Sequence, residues 1–153
     1  MLGEHVQVIF CDLDPLDEGT RWRHRAVHWM LNKCLKPGFR HCFVMRRAES
    51  FDGWLILNVT AERFELIEIP QRERTRVPGD PPVEFEHYGA MVAWMVETGQ
   101  VRMITTARQP VHDFHARGPL SCVSVVKSYL GVVAPHVWTT HQLFQHLSRE
   151  DGE

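Results

Sequence analysis

The sequence predicts an α+β fold in which a small antiparallel sheet packs against helices. The first observation is length, because 153 residues suffice for a single domain with a substantial core. The second is a set of three strand-like runs, rich in apolar and β-branched residues, at 39–47, 54–60 and 63–69. Their connections are too short for parallel crossovers, so the runs predict an antiparallel meander. The third is a set of helix-like segments outside this meander, at 20–35, 84–98, 118–131 and from 139 onward.

The N-terminal part of the chain predicts one strand and one helix. Residues 5–11 are mostly apolar and β-branched, which is typical of a strand. Over residues 20–35 apolar side chains recur at three- and four-residue spacing, and Pro37-Gly38 ends the helix. The predicted apolar face contains Trp22, Ala26, Trp29 and Met30, widened by Val27, Leu31 and Cys34.

The three runs of the meander differ in how their side chains alternate. Alternation in the first run puts His41, Phe43 and Met45 on one face and Cys42, Val44 and Arg46 on the other. The second run is almost continuously apolar, which predicts a central strand, and its one interruption is Asn58. The third run alternates cleanly, so we expect one of its faces to lie in water.

The chain after the meander predicts a loop, three helices and a further strand. Residues 71–82 are charged and proline-rich, which is typical of a solvated loop, with contact to a substrate or partner as the alternative. A helix over 84–98 and a strand over 101–106 follow. A helix over 118–131 begins after the breaker pair Gly118-Pro119. The last helix starts at Thr139 or Thr140, and residues 148–153 form a polar tail of this single domain.

Composition sets broad limits on function. With 44% hydrophobic residues, 24% charged residues and a net charge of −2, the chain has an ordinary globular composition and gives no reason to expect nucleic acid or an anionic membrane as partner. We expect no transmembrane segment, no signal peptide and a cytoplasmic location. The four cysteines are scattered, which favours reduced thiols over a disulfide framework or a cysteine zinc site, and we predict no cofactor.

Cys122 is the residue on which the functional prediction depends. It lies in the first turn of a predicted helix, where free backbone N–H groups and the helix dipole favour a thiolate. It is therefore either an activated nucleophile or a small buried apolar residue. An activated thiol needs a base and a polar group that orients the base. His41 and Asn58 are candidates, because the turn at 51–53 brings the two strands that carry them together.

The order His41, Asn58, Cys122 resembles the circularly permuted papain-like fold of NlpC-type cysteine peptidases and related acyl-transferring enzymes. In that family a helix with the nucleophile packs against a small antiparallel sheet, with the histidine on its first strand and a polar residue on the next. The resemblance covers about residues 38–131 and implies a thiol-dependent hydrolase or acyltransferase acting on an amide or ester, with these three residues as its triad. The segment Ser121-Cys122-Val123-Ser124 departs from the Asp-Cys-Ser-Gly of unpermuted members and from the Asn-Cys-Glu-His of one permuted branch.

Two other functions remain open at this stage. The pattern of residues 38–43, Cys122-Val123 and the last helix also resembles small proteins of tailed-phage genomes. That resemblance implies an inactive papain-like module that docks a protein partner in a virion or during assembly, located in the virion or the host cytoplasm. The third candidate is a metal-dependent hydrolase that uses His112, Asp113 and His115. His24 and His28 also have metal-compatible i, i+4 spacing, although their arginine-rich surroundings favour a solvated face.

Cys42 adjoins His41 in the sequence and is a rival candidate nucleophile. Because its side chain points away from the face that carries His41, we expect it to be packed in the core rather than reactive.

Overall fold

A computed structural model describes residues 5–13, 19, 21–60, 63–77, 82–109 and 121–150. Within these residues the chain forms seven strands and four helices. The strands are β1 (His5–Cys11), β2 (His41–Arg47), β3 (Gly53–Val59), β4 (Phe64–Pro70), β5 (Thr75–Val77), β6 (Val83–Phe85) and β7 (Arg102–Ala107). The helices are α1 (Trp22–Cys34), α2 (Tyr88–Glu97), α3 (Cys122–Leu130) and α4 (Thr140–Glu150).

The main sheet has the order β4-β3-β2-β1-β7, and every neighbouring pair is antiparallel. The predicted meander β2-β3-β4 and the α+β class are therefore confirmed. The predicted strand near 101–106 is β7, which pairs with β1 at the edge opposite β4. The N-terminal strand thus lies inside the sheet, between the meander and β7.

Side-chain alternation divides the core into two layers, one on each face of the sheet. On one face Val8, Phe10 and Val44 pack with buried residues of α3 and α4, such as Val126 and Leu143. On the other face Ile9, Met45 and Ile56 pack with Val92 of α2. The predicted alternation along β2 is confirmed, because Cys42 and Val44 belong to the first layer while Phe43 and Met45 belong to the second.

Helix α1 forms where the sequence predicts it, but none of its residues is buried. Trp22 and Trp29 are 73% and 64% exposed, so the part of the predicted apolar face that carries the tryptophans lies in water. Val27 and Leu31, which widen the predicted face, instead line a pocket above the sheet. The spacing of the aromatic residues therefore predicts the helix correctly, but it predicts incorrectly which side of the helix faces the rest of the fold.

Within the predicted loop over 71–82, residues 75–77 form a strand, which is a correction, while residues 78–81 lie outside the described residues. The predicted helix start at 84 is wrong, because residues 83–85 also form a strand. Strands β5 and β6 pair as a small two-stranded sheet, with Thr75 opposite Phe85 and Val77 opposite Val83. The valine and phenylalanine of 83–85 favour a strand. Helix α2 starts only at Tyr88, because the His87 side chain caps it by accepting a hydrogen bond from the Ala90 N–H at 3.0 Å. No helix among the described residues is both long enough and apolar enough to cross a bilayer.

Candidate active site

Helix α3 begins at Cys122 because the two residues around it form a capping box. The Ser124 N–H donates to Ser121 Oγ at 3.2 Å, and the Ser121 N–H donates to Ser124 Oγ at 2.9 Å. Each serine thus satisfies a backbone group that the first turn leaves without an intrahelical partner. At the other end Gly131 takes the left-handed conformation, with φ of 76°, and ends the helix as predicted. The cap fixes Cys122 as the first helical residue.

His41 and Asn58 lie on the same face of the sheet and contact each other directly. Met45 pairs with Ile56 in the β2–β3 register. His41 lies four positions before Met45 and Asn58 lies two positions after Ile56, so both side chains point to the face of this pair. His41 Nε2 donates to Asn58 Oδ1 at 2.7 Å. This hydrogen bond leaves Nδ1 as the ring nitrogen that can exchange a proton with a nucleophile.

Glu65 fixes the orientation of the Asn58 amide. The Asn58 Nδ2 group donates to Glu65 Oε2 at 3.3 Å, and Glu65 Oε1 accepts from Arg63 Nε at 2.7 Å. Because the carboxylate can only accept, the amide nitrogen faces Glu65 and the amide oxygen faces His41. The role of Glu65 is not predicted from the sequence. The sequence feature that could have indicated it is the short connection between the second and third strands of the meander, which makes Asn58 and Glu65 cross-strand partners.

Cys122 and Cys42 are neighbouring thiol groups whose pKa values are shifted in opposite directions. The Cys42 thiol donates a hydrogen bond to the Cys122 sulfur, and this contact is the largest cause that holds the pKa of Cys122 well below its ordinary value. Burial opposes the effect, while the hydrogen bond and the charge of His41 add to it. Burial, followed by the contact with Cys122, raises the pKa of Cys42 well above its ordinary value. Of the two sulfur atoms, Cys122 is therefore the one that loses its proton more readily.

Cys42 is only 1% exposed, which confirms the prediction that it is packed in the core. Its contact with Cys122 was not foreseen. The alternation of β2 correctly turns Cys42 away from the face of His41, but α3 packs on the face toward which Cys42 points. His41 and Cys122 are each the first residue of their element, and they meet where β2 and α3 begin.

A pocket of about 1050 Å³ opens beside these three residues. His41, Asn58 and Cys122 all lie in its wall. Helix α1 contributes Val27 and Leu31 on one side, and α2 contributes methionines on another. Space therefore exists next to the thiolate for a ligand with a substantial apolar part.

The residues considered as metal ligands do not form a metal site in the part of the chain that the structure describes. There, no group of three or more histidine, cysteine, aspartate or glutamate side chains is arranged to hold a metal ion. His24 and His28 line the pocket, and His28 Nδ1 hydrogen-bonds Asn32 Nδ2 at 2.9 Å. His112, Asp113 and His115 lie outside the described residues.

Comparison of the chain with protein-family models, with curated proteins and with solved structures gives no match.

Proposed function

We propose that the chain is a thiol-dependent hydrolase or acyltransferase that acts on an amide or ester, with Cys122 as nucleophile, His41 as base and acid, and Asn58 as the group that orients His41. The observation that carries the proposal is that one imidazole, that of His41, hydrogen-bonds both the sulfur of a helix-initiating cysteine and the side-chain oxygen of Asn58. A nucleophile, a base and an orienting group linked in this order form the minimum arrangement for covalent acyl transfer.

The first half of the reaction forms an acyl-enzyme. The Cys122 thiolate attacks the carbonyl carbon of the substrate, a carbon–sulfur bond forms, and the carbonyl electron pair moves to oxygen. The tetrahedral intermediate then collapses, and the bond to the leaving amine or alcohol breaks. His41, held by Asn58, supplies the proton that this leaving group takes. The products are a Cys122 thioester and a neutral amine or alcohol.

The start of α3 supplies stabilisation for the oxyanion. The first N–H groups of a helix have no carbonyl partner within the helix, and the N–H of Cys122 belongs to this set. An N–H next to the nucleophile lies close to the carbonyl oxygen of a substrate attacked by that nucleophile. Removing one such donor in other acyl-transfer enzymes lowers kcat by about 10²–10³-fold.

The second half of the reaction releases the acyl group. His41, now neutral, takes a proton from water or from an acceptor amine or alcohol. The oxygen or nitrogen attacks the thioester carbonyl, and Cys122 leaves as the thiolate. Water gives a carboxylic acid, and another acceptor gives a new ester or amide.

The permuted papain-like arrangement is part of this proposal. It is supported by the chain order His41, Asn58, Cys122 and by the packing of α3 against β2. The residues beside Cys122 are valine and serine, so the surroundings of the nucleophile would differ from those of the family's familiar signatures.

A reporter ester tests the proposal without knowledge of the substrate. The protein is mixed with p-nitrophenyl acetate, nitrophenolate release is followed, and the acetylated residue is located by peptide mass spectrometry. We expect a burst of nitrophenolate with acetylation of Cys122, and loss of both in the Cys122→Ala and His41→Ala variants. The matched control is Cys34→Ala, which removes an exposed thiol on α1. Acetylation spread over Cys34 and Cys122 alike, without a burst, would rule out the catalytic assignment.

A second candidate function, a non-enzymatic docking module, is favoured by one observation. The outer side of α1 exposes Trp22, Trp29 and Met30, and exposed arginines such as Arg23 and Arg25 adjoin them. Aromatic and arginine side chains are enriched where proteins bind proteins. A Cys122→Ala protein that keeps its full biological activity, combined with loss of that activity in Trp22→Ala/Trp29→Ala, would favour the docking function over the enzyme.

A further inference from the structure

Three basic side chains from separate parts of the fold surround the ring of Phe39. Lys36 Nζ lies 5.6 Å from the ring centroid and Arg102 Cζ lies 4.7 Å from it. The His141 ring packs edge-on against the same phenyl ring, with centroids 4.9 Å apart. Lys36 precedes β2, Arg102 starts β7 and His141 lies in the first turn of α4. None of the three lines the pocket of the candidate active site.

The cluster is held together by direct contacts. Lys36 Nζ donates to His141 Nε2 at 3.0 Å. The Arg102 guanidinium lies over the backbone at Gly38, where a Cβ atom would come within 2.6 Å of Nη1. Phe39 is itself fixed, because its carbonyl oxygen accepts a hydrogen bond from Thr140 Oγ1 and its ring packs against Phe144. The basic groups are therefore gathered on a rigid support.

The cluster lacks a negative partner among the described residues. Four other arginines, namely Arg40, Arg46, Arg47 and Arg63, each form an ion pair with a carboxylate, whereas Lys36 and Arg102 form none with any carboxylate that the structure describes. The nearby carboxylate of Asp12 binds the Gly38 N–H and Arg40 instead. Two positive charges that lie within 6 Å of one aromatic ring, with no carboxylate paired to either of them among the described residues, favour the binding of an anion.

Protonation of the His141 ring is disfavoured by burial and by this local excess of positive charge. Burial, and then the charges of Lys36 and Arg102, lower the pKa of His141. The ring is accordingly neutral at neutral pH, and its Nε2 accepts the Lys36 proton. An anion at the cluster would oppose both charges and allow the ring to take up a proton, which would add a third positive group.

We propose that Lys36, Arg102 and His141 form a binding site for a phosphate-sized oxyanion, separate from the thiol site. A phosphate group matches the cluster better than a carboxylate does. It carries nearly two negative charges at neutral pH and presents three acceptor oxygens to an ammonium, a guanidinium and an imidazolium. A guanidinium whose face rests on an aromatic ring keeps its N–H edge available for such a ligand.

Titration with inorganic phosphate, monitored by the His141 ring signals in NMR spectra, tests the proposal. In the wild-type protein we expect saturable shifts of His141 and a rise of its pKa in the presence of phosphate. Lys36→Ala and Arg102→Gln should each weaken binding by about tenfold or more, because each removes one charge-assisted hydrogen bond. The control is Arg47→Ala, which removes an arginine paired with Asp52 and should leave phosphate binding unchanged.

A second anion and a charge-conserving variant distinguish a phosphate site from non-specific anion binding and from a folding defect. Acetate at equal ionic strength should produce no saturable shift, and equal affinity for acetate would overturn the assignment to phosphate. No saturation by phosphate, or the same affinity in all variants, would overturn the site itself. Arg102→Lys, which keeps the charge, should keep measurable binding, and this variant distinguishes a lost ligand contact from a folding defect. Because none of these residues lines the pocket that contains Cys122, the result is independent of the ester test of the proposed function.

Discussion

The His41 ring bridges two side chains: its Nε2 atom lies 2.7 Å from Asn58 Oδ1, and the ring also hydrogen-bonds the Cys122 sulfur. Asn58 is in turn held by Glu65, so a chain of contacts through Glu65, Asn58, His41 and Cys122 links three strands and a helix.

The thiolate state of Cys122 predicts its reactivity toward iodoacetamide. Because its pKa is lowered well below the ordinary value, Cys122 should stay ionised and alkylate rapidly at pH values where an ordinary cysteine is protonated. The rate should fall only as the pH drops through this lowered pKa. Peptide mass spectrometry after timed alkylation gives the rate at each pH. Cys34, exposed on α1, serves as the internal reference, and identical pH profiles for the two thiols would contradict the thiolate assignment.

Cys42→Ala should raise the pKa of Cys122, because it removes the hydrogen bond that lowers this pKa most. The alkylation of Cys122 near neutral pH should slow, although His41 remains in place. The protein should also lose about 1–2 kcal/mol of unfolding free energy, because a small buried side chain is truncated in the core. Urea denaturation measures the stability, and Cys34→Ala is the control for loss of a thiol as such. An unchanged alkylation profile in Cys42→Ala would show that His41 alone sets the state of Cys122.

Asn58→Ala should slow acylation of Cys122 by the reporter ester on the order of 10²-fold, because the imidazole loses the group that holds its orientation. Glu65→Ala should have a smaller effect in the same direction, since it frees the Asn58 amide without removing it. Single-turnover acetylation rates measure both effects. Arg46→Ala removes another charged residue of the same sheet, one paired with Glu49, and should leave the rate unchanged. Equal rates in wild type and Asn58→Ala would exclude an orienting role.

Ser121→Ala should destabilise the protein by about 1 kcal/mol, because the cap of α3 loses its acceptor for the Ser124 N–H. Fraying of the first turn should also slow the reaction of Cys122 with iodoacetamide. Urea denaturation and alkylation of the same sample report the two effects. Ser148→Ala, an exposed serine of α4, should change neither. Loss of stability without any change in the alkylation rate would show that the Ser121 cap does not influence the reactivity of Cys122.

The lowered pKa of His141 predicts that the free energy of unfolding depends on pH. Its pKa is lowered in the folded protein, so the unfolded chain binds more protons below the ordinary histidine pKa of 6.5. The unfolding free energy should therefore fall as the pH drops from 7.5 to about 5.5, in a buffer without phosphate. The charged groups that face the ring are Lys36 and Arg102, and Lys36→Ala should reduce the slope. Thermal or urea denaturation across this range measures it, and an unchanged slope in Lys36→Ala would contradict the assignment.

Local patterns in the sequence predict much of this fold. The meander, the alternation along β2 and the end of α3 at Gly131 follow from strand periodicity, short connections and glycine's tolerance of positive φ. The meeting of His41 with Asn58 follows from the same reasoning, because the turn at 51–53 makes their strands neighbours. These features depend on residues close together in the sequence.

Features that depend on distant packing were not predictable in this way. The periodicity of Trp22 and Trp29 indicates a helix but does not say which side meets the sheet, and the structure exposes both residues. The contact of Cys42 with Cys122 depends on the face on which α3 packs, 80 residues further along the chain. Lys36, Arg102 and His141 likewise meet only because β7 and α4 are brought to Phe39.

Glu65 belongs to β4, which forms one edge of the main sheet in the described chain. Edge strands open more readily than interior strands, because hydrogen bonds hold them on one side only. Each such opening detaches Glu65 from Asn58 and leaves the amide free to rotate away from His41. Under the proposed mechanism, the fraction of molecules with His41 correctly oriented is therefore linked to the opening of the edge strand, and hydrogen exchange of the β4 amides should change in parallel with the acylation rate.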